Sequence, residues 1–196
     1  MFKPQNMFKS PKVFFIFLLV GFQLVAQNKE NRWVVGASVG VAKFSSEDSK
    51  FVGDQFIFQA PKLNASRYFF NGLTVDASLS FNTINKISGL FSNSIDYLSI
   101  DLGAKYDFGE SNENLVPYIY GGTSFISANS EMTPTLNFGG GGTFWLNSRY
   151  GVNLQLLYKS AMTNTVNMRS HMYFSAGIIY SLKLRTLAPR LWSHNK

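Results

Sequence analysis

The sequence predicts an all-β protein, an eight-stranded antiparallel transmembrane β-barrel, and three observations predict it. Eight segments after residue 26 alternate apolar and polar residues with the period of two that a strand requires. Their connections alternate between short turns and longer polar loops, which is typical of outer-membrane barrels. Charged residues make up only 15% of the chain, whereas about 25% is usual in soluble globular domains.

The first 26 residues have the pattern of a secretory signal peptide. Lys3, Lys9 and Lys12 precede the apolar run VFFIFLLVGFQLVA at 13–26. This run is shorter than the ~20 residues that a membrane-spanning helix needs, so cleavage after Ala26 is favoured over an uncleaved anchor. We therefore predict a signal peptide at 1–26, an outer-membrane barrel at 27–182 and a basic periplasmic tail at 183–196.

The distribution of charge argues against a nucleic-acid partner. The chain carries a formal net charge of +7, but residues 27–182 contain 11 Lys and Arg against 11 Asp and Glu. The excess comes from the signal segment and the tail, so the barrel offers no basic face for a phosphate backbone. The chain has no cysteine, and the sequence predicts neither a metal site nor a cofactor.

The eight predicted strands follow one another with regular spacing. They span residues 33–44, 56–70, 73–84, 94–108, 116–127, 133–146, 151–161 and 171–182. The second is the least regular, because its alternation slips near Pro61, where a β-bulge is predicted. The longer loops at 45–55, 85–94, 128–132 and 162–170 are predicted to be extracellular, with the short turns on the periplasmic side.

The two faces of each strand differ in a way that favours lipid outside and a narrow polar interior. In the opening strand WVVGASVGVAKF, one parity is apolar and the other small. The residues predicted to face lipid are Trp33, Val35, Ala37, Val39 and Val41, and those predicted to face inward are Gly36, Ser38, Gly40 and Ala42. A soluble barrel would need an outer face rich in Lys and Glu, but here the polar face carries mostly Ser, Thr, Asn and Gly.

Two sets of candidate site residues follow from this assignment of faces. The predicted polar network of the interior consists of Asp76, Asp101, Lys105, Asn137, Asn153, Gln155 and Lys159. These groups must bond to one another or to water, because burying them unpaired is costly. Aromatic residues near strand ends are predicted to form an interfacial girdle: Trp33, Phe44, Phe81, Tyr106, Phe108 and Tyr180.

Several stretches resemble a known family. They include the first strand, LVPYIYGGTSF, FGGGGTFWL, GVNLQLLYKSA and SHMYFSAGIIYSL. Together they are similar to small outer-membrane barrels related to the N-terminal domain of outer membrane protein A, of the type common in Bacteroidetes. The resemblance covers about residues 33–182. It implies outer-membrane lipid and the barrel-assembly machinery as partners, and it implies no peptidoglycan binding, since the periplasmic domain of longer relatives is absent.

The end of the chain departs from that family. Such barrels usually end at an aromatic residue that the assembly machinery recognises, whereas KLRTLAPRLWSHNK follows Leu182 here. Pro189 interrupts any helix in this tail. The tail is therefore interpreted as a loose periplasmic segment, with contact to anionic headgroups of the inner leaflet as the alternative.

The sequence favours a structural or surface-interaction role in the outer membrane of a Gram-negative bacterium, with an extracellular ligand at the loops as a possible partner. A small-solute pore is an alternative, although eight strands leave little room for one. A lipid-modifying enzyme is another, but His171 and Ser170 are neighbours on a strand and point to opposite faces. A soluble, lipocalin-like periplasmic binding barrel is the last alternative, and no catalytic residue is predicted.

Overall fold

The computed structural model describes residues 33–52, 55–70, 72–82, 97–108, 113–128, 131–163 and 168–184. It contains eight strands, and the predicted signal peptide lies outside the described residues. The strands are β1 (Trp33–Lys43), β2 (Phe56–Phe70), β3 (Leu73–Phe81), β4 (Tyr97–Asp107), β5 (Leu115–Ala128), β6 (Glu131–Trp145), β7 (Tyr150–Ala161) and β8 (His171–Ser181).

The strands form one closed antiparallel barrel, which confirms the predicted fold class. Each strand pairs with its neighbours in sequence, and β8 pairs with β1 from Val34↔Ser181 to Lys43↔Met172. Closure leaves no strand edge with unpaired N–H and C=O groups, which is the condition for a sheet to lie in hydrocarbon.

The two ends of the barrel differ. We call the end with the connections after β2, β4 and β6 the turn end, where β1 also begins and β8 finishes. We call the opposite end the loop end. There, a short helix, α1 (Ser49–Val52), lies between β1 and β2, and no helix in the described ranges is long and apolar enough to cross a bilayer.

Some predicted boundaries were wrong. β1 and β4 each end one residue earlier than predicted, at Lys43 and Asp107, and the predicted strand residues 83–84 and 94–96 lie outside the described residues. The predicted loop at 128–132 is shorter too, because β5 and β6 extend to Ala128 and Glu131, which pair with each other. Only residues 129–130 remain between these two strands.

The predicted irregularity in β2 is a β-bulge. Ser38 pairs with Lys62, and Gly40 pairs with Gln59, so two steps along β1 match three along β2. The extra residue reverses the alternation. Gln59 is buried on one side of the bulge and Lys62 on the other, although their positions differ in parity.

The predicted faces are confirmed along the strands. In β1, Trp33, Val35 and Val39 are exposed, while Gly40 and Ala42 are buried. In β3 and β4 the apolar residues lie outside and the Ser, Asp and Lys residues inside. Leu157 and Ile179 interrupt the apolar parity of their strands, and both are buried inside.

Candidate functional site in the barrel interior

The interior is crossed by an ion pair between β4 and β7. The Nζ of Lys159 lies 2.6 Å from Oδ1 of Asp101, and both side chains are at most 2% exposed. The carboxylate also accepts hydrogen bonds from the hydroxyls of Ser99 and Ser78. A buried carboxylate with this many donors is well compensated for the loss of water.

A second ion pair joins β3 and β4. The Nζ of Lys105 donates to Oδ2 of Asp76 at 2.7 Å, and Ser66 Oγ donates to the same oxygen at 2.9 Å. The ammonium also lies 5.2 Å from the ring centroid of Tyr118, within the range of a cation–π contact. Asp76 and Asp101 are therefore both neutralised inside the barrel.

The amides predicted for the interior bond to different groups. Asn137 exchanges hydrogen bonds with Ser124 and accepts one from Thr135. Asn153 donates to Thr143 and accepts from the hydroxyl of Tyr118. Asn137 belongs to a cluster of its own with Ser124 and Thr135, whereas Tyr118 connects Asn153 to the Lys105–Asp76 pair.

Lys62 is an interior charge that the sequence analysis missed. Its Nζ donates to Gln155 Oε1 at 3.1 Å, and it lies 4.8 Å from the ring of Tyr173. Lys159 lies 4.9 Å from the same ring. The sequence would have predicted an inward-facing Lys62 only if the inward–outward alternation of β2 had been shifted by one residue at the predicted bulge.

A cluster of buried, mostly apolar side chains lies largely in the loop-end half of the interior, and we call it the loop-end cluster. Its members include Phe44, Val52 of α1, Ile126 and Met168, all at most 4% exposed. His171 is buried beside Phe44, with ring centroids 4.7 Å apart.

His171 is buried inside the barrel, where it is 1% exposed. The ring lies inside, with Nδ1 2.8 Å from the carbonyl oxygen of Arg169 and Nε2 3.4 Å from the hydroxyl of Tyr97. Ser170 bonds elsewhere, because its Oγ accepts the backbone N–H of Ala161. The two residues form no nucleophile–base pair.

The turn-end half contains a cavity of about 80 Å³. Its lining includes Tyr68, Lys105, Asn153 and Trp145, and it includes no member of the loop-end cluster. The cavity is therefore confined to one half of the barrel.

Five of the six predicted girdle residues lie on the outer surface of the barrel. Trp33, Tyr106 and Phe108 are 44–59% exposed, and Phe81 and Tyr180 are partly exposed. Phe44 is a correction, because it is 1% exposed and packs inside. Its parity is that of Ala42, so its ring turns inward as β1 ends.

Among the described residues, no group of three or more His, Cys, Asp or Glu side chains lies close enough to hold a metal ion. The buried carboxylates of Asp76 and Asp101 are each paired with a lysine, and Asp107, which lines the turn-end cavity, accepts a hydrogen bond from the hydroxyl of Thr74.

Known proteins resemble this one in structure and not in sequence. No family model matches the chain, and no similar curated protein was found. The N-terminal β-barrel domain of Pseudomonas aeruginosa OprF superposes with a TM-score of 0.58 at 12% identity, covering 78% of this chain and 98% of that one. Neisserial surface protein A gives 0.54 at 16% identity, covering 76% and 96%.

A third structure, the outer membrane protein OprG of Pseudomonas aeruginosa, gives a TM-score of 0.53 at 12% identity, covering 78% of this chain and 96% of that one. The fold is therefore that of the eight-stranded outer-membrane β-barrels. The resemblance to the N-terminal barrel of outer membrane protein A is confirmed at the level of the fold.

Proposed function

We propose that this protein is an integral outer-membrane barrel of a Gram-negative bacterium, exported by its signal peptide, with a structural or surface-interaction role. The proposal rests on the polarity of the barrel, which is apolar on the outside and polar on the inside. Large apolar side chains such as Ile100, Leu102, Phe138 and Ile178 are 56–63% exposed on the outside, while ion pairs lie inside. Lipid is the solvent that stabilises such a surface.

A soluble binding barrel is disfavoured by the same polarity. A lipocalin-like protein needs an apolar interior for its ligand and a polar exterior for water. Here the outer face of β4 presents Leu98, Ile100, Leu102 and Tyr106, each 42–57% exposed. An apolar surface of this extent in water would associate with other chains.

A solute pore is disfavoured because buried side chains occupy most of the length of the interior. From the loop end towards the turn end, the interior contains the loop-end cluster, then the Lys159–Asp101 pair and then the Lys105–Asp76 pair. The described cavity belongs to the turn-end half alone. We infer that the barrel does not conduct solutes.

A lipid-modifying enzyme is disfavoured because the only histidine of the barrel is bonded to a backbone carbonyl and a tyrosine. Acyl transfer of the serine type needs a histidine in hydrogen-bond reach of a nucleophile that the substrate can approach. His171 is 1% exposed. The loops above it, on a rigid barrel, are the better candidates for contact with a partner.

The experiment that tests the proposal combines cell fractionation, gel mobility and conductance. The protein should be found in the outer-membrane fraction, and its migration in SDS should change on boiling, because a closed barrel resists the detergent when cold. The folded protein should give no sustained conductance in a planar bilayer. A soluble periplasmic protein without the gel shift would refute the membrane role, and stable channels would refute the filled interior.

A further inference from the structure

Three fully buried polar side chains in the middle of the interior have no hydrogen-bond partner among the described residues. They are Gln59, whose amide nitrogen and amide oxygen are both unpaired, and Ser80 and Tyr173, whose hydroxyls are unpaired. All three residues are 0% exposed. Buried polar groups without a protein partner in a folded protein call for a bound water molecule or ion as the partner.

These three side chains lie close together. Gln59 pairs with Gly40 across β1 and β2, and a Cβ at Gly40 would overlap the hydroxyl of Tyr173. The glycine therefore admits this hydroxyl to a position beside Gln59. The same hydroxyl approaches Ser80 without forming a hydrogen bond with it.

The ammonium group of Lys62 belongs to the same group of residues. Lys62 pairs with Ser80 across β2 and β3, and its Nζ lies 4.8 Å from the centroid of the Tyr173 ring. Among the described residues its one hydrogen-bond acceptor is Oε1 of Gln155, although an ammonium has three N–H donors. We call Gln59, Lys62, Ser80 and Tyr173 the Tyr173 cluster.

The Tyr173 cluster carries a positive charge without a direct counterion among the described residues. Neither of the two interior ion pairs includes Lys62, and both oxygens of Asp101 already accept hydrogen bonds from other groups. Asp107 lies six residues beyond Asp101 on β4, which is roughly 20 Å further towards the turn end. Burying an ammonium without a counterion is costly. An anion would compensate this charge, whereas a water molecule would not.

We propose that the Tyr173 cluster binds a small monovalent anion, chloride in the cell. Lys62 supplies the charge, and the hydroxyls of Tyr173 and Ser80 and the amide N–H of Gln59 donate hydrogen bonds to the ion. Bonds to a charged acceptor are stronger than bonds between neutral groups. The ion is a structural part of the fold, because it compensates a buried lysine and joins β2, β3 and β8. The site is independent of the surface role proposed above.

The first test uses bromide as the probe, because bromide substitutes for chloride and scatters X-rays anomalously. The full-length protein is refolded and crystallised in sodium bromide. An anomalous peak is expected inside the barrel, in contact with Nζ of Lys62 and the hydroxyl of Tyr173, and it should be absent from K62M. Density at this position without an anomalous signal would identify a water molecule and overturn the proposal. Peaks confined to the outer surface would show an adventitious ion only, which also overturns it.

The second test compares stability in chloride and in gluconate at equal ionic strength, with the protein in zwitterionic micelles. Replacing about 100 mM gluconate by chloride should raise the folding equilibrium constant of the wild type about tenfold, for a Kd of about 10 mM. K62M should lose this dependence. The matched control K43M should keep it, because Lys43 lies beside an aromatic ring on the outside, 5.9 Å from the centroid of Phe56.

The variant Y173F removes one hydroxyl and keeps the ring. Because that hydroxyl binds the ion, Y173F should lower the folding equilibrium constant in chloride and should not lower it in gluconate. Removal of a hydroxyl that is simply unpaired would be neutral or stabilising in both salts, and this result overturns the proposal. A chloride dependence that is absent from the wild type, survives in K62M or is lost in K43M overturns it as well.

Discussion

Lys159 on β7 and Asp101 on β4 are joined across the barrel interior, with Nζ and Oδ1 2.6 Å apart. Two strands, β5 and β6, separate them in the order of the sheet. The pair therefore ties opposite walls of the barrel together. Because both groups are buried, each depends on the other for compensation of its charge.

The first prediction concerns the loss of this carboxylate. Asp101→Asn should lower the free energy of unfolding by about 3–5 kcal/mol, because it leaves the ammonium of Lys159 buried without its counterion. Urea unfolding in lipid vesicles, followed by the gel shift, measures the change. The control is Glu47→Gln on the exposed loop after β1, which should have little effect. Equal stability of the two variants would contradict a structural role for the pair.

The second prediction compares the two lysines that face Tyr173. Lys159→Met should destabilise by about 3–5 kcal/mol, since it removes the partner of Asp101. Lys62→Met should destabilise the barrel markedly less, because the hydrogen-bond partner of Lys62 is the uncharged Gln155 and Asp101 keeps its direct ion pair with Lys159. The same urea titration compares them. A larger loss for Lys62→Met than for Lys159→Met would show that Lys62 has a carboxylate partner in the folded barrel.

The strand pattern could be predicted because lipid and a narrow interior impose opposite demands on alternate residues. β3 and β4 follow that rule from end to end. Lys62 could not be assigned, because a single extra residue at the bulge changes the face of everything that follows. Alternation along a strand predicts which residues point inward. The pairing register between strands is needed to find the bulge at which that alternation reverses.

The third prediction uses the glycine run at 139–142. A Cβ at Gly139 would come too close to the backbone of Leu156, whereas a Cβ at Gly142 would meet Leu115 at 3.8 Å, an ordinary contact. Gly139→Ala should therefore cost about 1–3 kcal/mol through overpacking. Gly142→Ala should be neutral or slightly stabilising, because alanine restricts the unfolded chain.

Thermal or urea unfolding of these two alanine variants checks the contrast. Each variant adds one methyl group, and the two positions are three residues apart, so each variant serves as the control for the other. The pairing of β6 with both neighbours runs through the glycines without a register shift. Similar losses for both variants would mean that the run has a backbone role and not a packing role.

The fourth prediction follows from the corrected position of Phe44. Phe44→Ala should cost about 3–5 kcal/mol, because its ring is buried in the loop-end cluster against His171. Phe108→Ala should cost markedly less, since that ring is 59% exposed outside. Unfolding in vesicles measures both. Equal costs would support the original assignment of Phe44 to the girdle.

The interior contacts were harder to predict than the faces. That Asp101 and Lys159 both point inward follows from alternation, but their pairing depends on the curvature that brings β4 opposite β7. The same curvature brings Tyr97, Phe44 and His171 together from three strands or strand ends. A single sequence carries the direction of each side chain and does not carry which residues meet across the barrel.

The fifth prediction concerns orientation in the membrane. Short turns of such barrels face the periplasm, and here the turn end also holds the start of β1 and the end of β8. Ser46 at the loop end is exposed, and Ser148 lies in the turn before β7. Because the chain has no cysteine, Ser46→Cys and Ser148→Cys each introduce a single thiol.

A membrane-impermeant maleimide should label Ser46→Cys in intact cells and should leave Ser148→Cys unlabelled. Permeabilising the outer membrane should make both thiols reactive, which controls for local burial. The reverse pattern would place the loop end in the periplasm. The labelling thus tests the direction of insertion independently of stability, because neither serine side chain lies inside the barrel.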